Sequence, residues 1–380
     1  MAETLDPPIE SSALRFDCPK CGGQRSFDAG KGSLPCANCG YEESVAKAKQ
    51  EKQGIVEYDL EDGLKNLPER GLGLETKSSA CQSCGAIISF GTTDVAMSCS
   101  FCGSSNVLEI NSHRQTLRPE SLVPFQKTKA ASEEQFKAWI KALWFRPNNL
   151  KQLAEISKIQ GVYIPYWVFD ARVDSDWRAM AGHHYYVTET YSANVNGRIE
   201  QRTRQVQKTR WVPAAGSRHD LYDDYLICAS KGLPHELALR LETFDTRDLK
   251  AYDPSYIAGW RAEEYQLDLK PAWTQAVHDL EASQERRCGN DVPGDTYMGL
   301  QVQNRFSETR FKHILLPIWI AAYRYKGEVY QFLVNGQTGE VEGNAPYSYW
   351  KIGFFILFIA VLLLTALVFY GAASQQSSQY

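Results

Sequence analysis

At 380 residues, with 43% hydrophobic and 23% charged side chains, the chain can bury one core domain of ordinary size and still carry small satellite modules. A net charge of −4 gives no global pull toward a polyanion, so nucleic acid or acidic lipid would have to be met by local basic patches. The opening stretch MAETLDPPIESSALRF has neither a basic n-region nor an apolar h-region, which predicts no secretory signal and a cytosolic N-terminal part.

Cysteine dominates the first third. CPKCGG, CANCGY, CQSCGA and CSFCGS place Cys18 and Cys21, Cys36 and Cys39, Cys81 and Cys84, and Cys99 and Cys102 in four CxxC pairs. Each ligand of the first set recurs 63 positions later, so the pattern is a tandem repeat. Two tight turns that each offer two thiolates suit a tetrahedral zinc ion, and four thiolates close the coordination sphere against catalytic water. The glycines after each second cysteine, Gly22, Gly40, Gly85 and Gly103, permit the left-handed backbone that such a turn requires. Eight paired cysteines in a reducing compartment point to metal rather than disulfides, and Cys228 and Cys288 read as lone buried thiols. The expectation is two structural Zn2+ ions, in a ribbon over residues 1–45 and a second over 80–112, with hairpins in QRSFDAGKGSLP and AIISFGTTDVAMS.

Residues 46–79 read as a connection, helical through YEESVAKAKQEKQG and then broken by Gly and Pro, and flexible as a whole. On such a connection the ribbons would be interaction heads, or one of them would cap the next domain.

Residues 113–348 hold most of the aromatic side chains and predict an α+β domain with a mainly antiparallel sheet. Ser132 and Gln135 form a capping-box pattern before a helix that carries Phe136, Trp139, Ile140, Leu143 and Trp144 and stops at Pro147. A second helix is expected in LKQLAEISKI, then strands in GVYIPYWVFDARVDSDW, HHYYVTETY, QRTRQVQKTRWVP and DDYLICAS, helices near 234–242 and 272–287, and strands in FKHILLPIWIAAYRY and EVYQFLV. Pro165, Pro213 and Pro317 suggest edges or bulges. The sequence contains no GxxxxGK[ST], HExxH, GxSxG or GxGxxG, and His183 and His184 would point to opposite faces of a strand, so the expectation is a non-enzyme. Arg202, Arg204, Lys208 and Arg210 share parity and would form a cationic stripe on one strand face. It would serve anionic headgroups, an acidic partner, nucleic acid, or simply solvation.

From Ile352 to Tyr370 the chain has no charged residue, enough for about 28 Å of helix. With Tyr347, Tyr349, Trp350 and Lys351 at one end, 349–371 reads as a single transmembrane helix, 372–380 as a short tail, and the protein as anchored in the inner membrane with its N-terminal domains in the cytosol.

The paired CxxCG knuckles, SLVPF, WFRPN, GVYIPYWVFDA, YYVTETY, KTRWVPAAG, AGWRAEEY, FKHILLPIWIAAYRY and VNGQTGEVEG, followed by one span, resemble a family of bacterial tail-anchored membrane proteins with transcription-factor-B-type zinc ribbons. Members often carry the label of a primosomal or replication-restart helicase, although this sequence lacks the helicase motor motifs. Some relatives resemble a membrane component encoded beside phage-shock, flotillin-like and TPM-domain proteins. The resemblance implies the eight cysteines as zinc ligands, the span as anchor, and a scaffold for an envelope-stress assembly at the cytoplasmic face. It implies no catalytic residue. Two other readings stand beside it, a membrane-tethered nucleic-acid-binding protein and an enzyme using the aromatic middle domain. The first is weakened by the scarcity of Lys and Arg in the ribbons.

Overall fold

The structure, a computed structural model, describes residues 16–28, 30–45, 54–65, 72, 76–91, 98–110, 116–147, 159–195, 198–241, 243–325 and 328–376. Residues 150–158 of the helix expected in LKQLAEISKI and 46–53 of the one expected in YEESVAKAKQEKQG lie outside the described residues, and at the start of the latter Glu42–Ser44 is a strand rather than helix.

Three long strands build the molecule: β8 (Gln160–Val195), β9 (Arg198–Cys228) and β12 (Thr296–Tyr325). The four strands expected between GVYIPYWVFDARVDSDW and DDYLICAS are therefore two. Nothing between 160 and 195 turns the chain, and the pattern changes along β8 because its cover changes. Residues 162–169 are all buried, as a strand covered on both faces must be. Val162, Ile164, Tyr166 and Val168 enter one apolar cluster, while Trp167 and Phe169 enter another. From Ala171 to Ala181 odd positions are buried and even positions are partly or fully exposed, as in a strand with one covered face. Beyond Gly182 both faces are open to solvent.

The cover for the middle stretch is α4 (Leu269–Asp291), which extends past the expected bounds at both ends. Its Ala272 and Ala276 pack with Trp167, Phe169 and Phe311, and its Cys288 packs with Trp177, Ala179 and Ala181. β12 then runs back along β8 from Thr296↔Gly182 to Ile320↔Gln160. Beyond Gly182 β8 pairs only with β9 among the described residues, through Val195↔Arg198. That leaves a two-stranded arm about 43 Å long at 3.3 Å per residue.

The central sheet has the order β10-β7-β12-β8-β11-β5-β4-β6, using β4 (Thr76–Cys81), β5 (Ile87–Gly91), β6 (Val107–Ile110), β7 (Ser121–Leu122), β10 (Lys250–Ala251) and β11 (Arg261–Glu263). It is mainly antiparallel, as expected, with parallel pairs at β11–β8 and β12–β7. β13 (Glu328–Asn335) and β14 (Val341–Gly343) follow β12 in antiparallel turns. α2 (Lys129–Ala142) covers them, stacking Phe136 on Phe332 at 3.5 Å. Its cap is Thr128, whose hydroxyl accepts from the Ala131 amide, rather than the expected Ser132, which is buried. The short helix α3 (His235–Arg240) lies within the range expected for it.

Pro213 sits on the edge strand β9, as expected. Pro165 and Pro317 occupy interior strands, at places where a neighbouring ladder ends. The Ala229 carbonyl, beside Pro165, accepts instead from the Gln266 and Leu267 amides at 2.9 and 3.3 Å. The Pro317 carbonyl accepts from the Gly336 amide where β13 turns away. Neither position asks proline for an N–H.

The expectation of ribbons on a flexible connection is corrected on three counts. β5 of the second ribbon pairs with β11, and β4 and β6 follow it, so the described strands of this ribbon extend the central sheet. The connection is ordered over 54–65: β3 (Tyr58–Asp59) pairs with β12, and α1 (Leu60–Lys65) buries Leu60 and sets Gly63 against the Phe311 ring. The first ribbon, with β1 (Ser33–Pro35) and β2 (Glu42–Ser44), keeps its own two-stranded sheet yet docks through Phe27 against Tyr256. Aromatic and β-branched side chains inside these small modules need cover that the modules cannot supply themselves.

The C-terminal helix α5 (Tyr349–Gln376) contains an apolar window, Tyr349–Leu367, with mean hydropathy 2.4 and no fully buried residue; among the described residues only its first turns touch the rest of the chain.

Candidate metal centres

Each of the four CxxC turns closes in the same way. The amide four residues on donates to the first cysteine's carbonyl: Gly22 to Cys18 (2.8 Å), Gly40 to Cys36 (3.0 Å), Gly85 to Cys81 (2.9 Å) and Gly103 to Cys99 (2.9 Å). The first cysteine's own amide donates one residue further on, to Gly23, Tyr41, Ala86 and Ser104. The four closing glycines have φ of 70°, 72°, 78° and 67°, the left-handed region that side chains disfavour, so glycine is required there.

These turns bring Cys18, Cys21, Cys36 and Cys39 into one cluster and Cys81, Cys84, Cys99 and Cys102 into another, with the four sulfurs of each within 4.8 Å of one another. Sγ–Sγ distances are 3.5 Å for Cys18–Cys39 and Cys21–Cys36, and 3.6 Å for Cys81–Cys102 and Cys84–Cys99. Four sulfurs at about 2.3 Å from a tetrahedral ion stand about 3.8 Å apart, whereas a disulfide needs about 2.05 Å. All eight cysteines are free thiols. The donor set and spacing fit a divalent thiophilic ion such as zinc in both clusters. The Cys39 amide, and then Asn38, draws the Cys36 thiol down to about 6. A hydrogen bond from Cys84 draws Cys99 down to about 5 and pushes Cys84 itself up. A bound cation would supply the counter-charge that this shared proton supplies.

The centres differ in their setting. Cys81 and Cys99 belong to the same apolar cluster as Phe101, Val162 and Ile318, while Cys21 and Cys39 are exposed. The last turn is held from several sides. Phe101 fills the space above Gly232, where a Cβ would stand 2.6 Å from the ring. Gln331 donates to the Phe101 carbonyl, and Arg261 reaches the Ser100 hydroxyl at 2.6 Å. Glu264 accepts from the Ser78 and Ser89 hydroxyls at 3.1 and 2.6 Å, pinning β4 and β5. These anchoring residues escaped the sequence reading. One signal was present: CSFC alone among the four turns carries an aromatic residue between its cysteines.

Asp170, Asp223 and Asp224 form a further acidic group at the β8 bulge. The buried Lys312 ammonium stands 2.6 Å from Asp224 and 2.9 Å from Glu57, so this group is an ion network closed by a lysine.

Arg202, Arg204, Lys208 and Arg210 do share one face, on the β9 side of the arm. Glu189 reaches across to Lys208 at 2.9 Å and Arg204 at 3.5 Å, and Glu200 contacts Arg202 at 3.3 Å. With Arg198, the face carries five cations against two carboxylates among the described residues. The opposite face, built from positions such as Tyr186, Thr188, Thr190, Thr203, Gln205 and Gln207, carries no Asp, Glu, Lys or Arg among the described residues. His184 lies on that second face and contacts Thr209 at 3.0 Å; His183 pairs with Arg210 on the first.

The chain is similar to a protein of Bacillus subtilis (strain 168), described as uncharacterized protein YdjG, with 27% identity over 348 residues covering 89% of this chain and 92% of that protein. No family model matches the chain. No solved structure matches it either.

Proposed function

We propose that this chain is a non-enzymatic, membrane-anchored adaptor at the cytoplasmic face of the inner membrane, in which two structural zinc ions brace the fold and the β8–β9 arm presents the recruiting surface. The observation that carries this reading is one of direction. β8 runs outward to the arm, and β12 runs back from Thr296 at the arm's foot to Tyr325. β14 is antiparallel to β13, hence runs the same way as β12, and leads within a few residues into α5. Arm and anchor therefore leave the sheet at opposite ends. A surface so placed meets cytosolic partners rather than the bilayer that holds the anchor, which favours a protein over a headgroup as the stripe's ligand.

The chemistry of the arm fits an acidic partner. Its cationic face supplies long-range attraction, and its exposed Tyr185, Tyr191 and Tyr186 supply amphipathic contact area of the kind found at interfaces. Assembly of an envelope-stress complex is the role that the resemblance to membrane-stress relatives favours.

The test is affinity purification of the full chain from its native membrane in mild detergent, with and without nuclease, alongside a variant with Arg202, Arg204, Lys208 and Arg210 changed to Glu. Nuclease-resistant recovery of a membrane-stress protein that the variant loses is the expected result. Recovery of the same protein by the variant would remove the arm from the proposal. Nuclease-sensitive recovery of replication or transcription proteins would replace the adaptor with a nucleic-acid role.

A further inference from the structure

We propose that the loop after α2, carrying Trp144, Phe145 and Arg146, sits in the headgroup layer of the bilayer that α5 crosses, as a second membrane contact that fixes how the soluble domain stands on the surface. The inference rests on reading α5 as a membrane span.

Depth is set by Phe145. Its ring meets Phe355 edge to face at 5.4 Å. Phe355 lies six residues inside the apolar window that begins at Tyr349, about 9 Å along the helix axis. A side chain that touches Phe355 shares the level of the first turns of the span, where headgroups give way to acyl chains.

The loop is held there by bonds to the start of α5. The Ser348 amide donates to the Phe145 carbonyl at 2.7 Å. The Lys351 ammonium donates to the carbonyls of Trp144 and Arg146 at 3.0 and 2.9 Å, and the Arg146 guanidinium lies over the Tyr347 ring at 3.7 Å while donating to the Ala345 carbonyl. Loop and helix base thus form one clamped unit, so the loop cannot be withdrawn without breaking it.

Composition agrees with that level. Trp144 is 68% exposed, Tyr349 84% and Trp350 77%, beside a helix whose Phe136 and Ile140 are buried in the domain core. Indole and phenol rings with an apolar body and a polar edge are favoured where water meets hydrocarbon, and the two cations at the clamp, Arg146 and Lys351, lie at the level of lipid phosphates. A span with a single flexible exit would let the domain tumble. A span clamped to an embedded loop fixes its orientation, and with it the arm's direction away from the surface.

The test uses the full chain labelled with fluorotryptophan, in nanodiscs of phosphatidylcholine and phosphatidylglycerol, by fluorine NMR. Trp144→Phe and Trp350→Phe each assign one signal by its disappearance. A lipid with a spin label on the acyl chain near the glycerol is then added. The expected result is loss of the Trp144 and Trp350 signals, with those of Trp177 in the stem and Trp211 at the arm's foot retained. Loss of Trp350 with Trp144 retained would overturn the second contact and leave the anchor standing. Retention of both would sink the reading of α5 as a span, and this inference with it.

Discussion

The indole nitrogen of Trp260 donates to the backbone carbonyl of Phe27 at 2.9 Å, joining positions 233 residues apart. The Phe27 amide in turn donates to Ala258 at 2.9 Å, and its ring meets Tyr256 edge to face at 5.0 Å. Phe27 is thus the plug that holds the first ribbon on the main domain, and none of the ribbon's four cysteines belongs to the apolar cluster it enters. Phe27→Ala removes the plug and leaves the four cysteines. It is expected to weaken docking by about 3–5 kcal/mol, the usual cost of truncating a buried phenylalanine. Amides around 24–36 should then exchange faster with deuterium while the metal content per chain matches that of the unmodified protein. Unchanged protection in that segment would show that the ribbon is held by something other than this plug.

The two four-cysteine clusters should differ in how readily they yield metal. Cys81 and Cys99 sit in the apolar cluster that also holds Phe101 and Ile318, so opening the second centre exposes core, whereas Cys21 and Cys39 of the first already face solvent. Structural zinc in small modules contributes on the order of 10 kcal/mol or more to folding. A strong chelator is expected to release zinc in two phases, the fast one lost in Cys18→Ser/Cys21→Ser. That variant should keep the melting transition of the main domain. Cys81→Ser/Cys84→Ser should lower it or prevent folding. A single release rate, or equal effects of the two variants on melting, would contradict the distinction.

Both clusters were legible in the sequence because their chemistry is local. CxxC spacing, the following glycine and the repeat at 63 residues need no tertiary information. The apolar run before Tyr370 was legible for the same reason. What the sequence did not reveal was where the ribbons go. Docking depends on partners far along the chain, such as Phe27 with Trp260 and Phe101 with Gly232, and no periodicity records a contact between them. The length of β8 was hidden differently. Its side-chain pattern passes from continuous to alternating to open as its cover changes, and each change resembles a boundary between strands. The parity of Arg202, Arg204, Lys208 and Arg210 was read from strand geometry alone, but Glu189 belongs to the other strand, and register decides that it faces Arg204.

Gly63 tests whether the connection between the ribbons is part of the fold. A Cβ at this position would stand 2.1 Å from Cε1 of Phe311, a side chain that is 1% exposed and packed by Trp167 and Tyr58. The ring has little room to retreat, so Gly63→Ala should force α1 off the sheet at a cost of about 1–3 kcal/mol, typical of overpacking. Proteolysis near 54–65 is expected to accelerate, with the ion pair between Glu57 and Lys312 weakened as β3 detaches. Gly63→Ser should act in the same direction. Cleavage rates equal to those of the unmodified chain would mean that this segment does not depend on the close approach.

His313 predicts an acid-sensitive fold. Its Nδ1 lies 3.0 Å from the Leu117 carbonyl, its Nε2 finds no hydrogen-bond partner among the described residues, and Trp167 and Tyr265 flank the ring at 5.2 and 5.3 Å. Burial pulls the imidazole down to about 4 because the charged form loses its water. An unfolded histidine titrates near 6.5, so between there and 4 the unfolded chain binds a proton that the folded chain refuses. Stability is therefore fully present above the unfolded value and is lost as pH falls, by roughly 3 kcal/mol across the window from this group alone. His313→Asn retains a donor for Leu117 without a titrating ring. It should lower stability at pH 7 through lost packing, yet show a shallower decline in melting temperature from pH 7 to 5 than the unmodified chain. Parallel pH profiles for the two proteins would exclude His313 as the source of acid sensitivity.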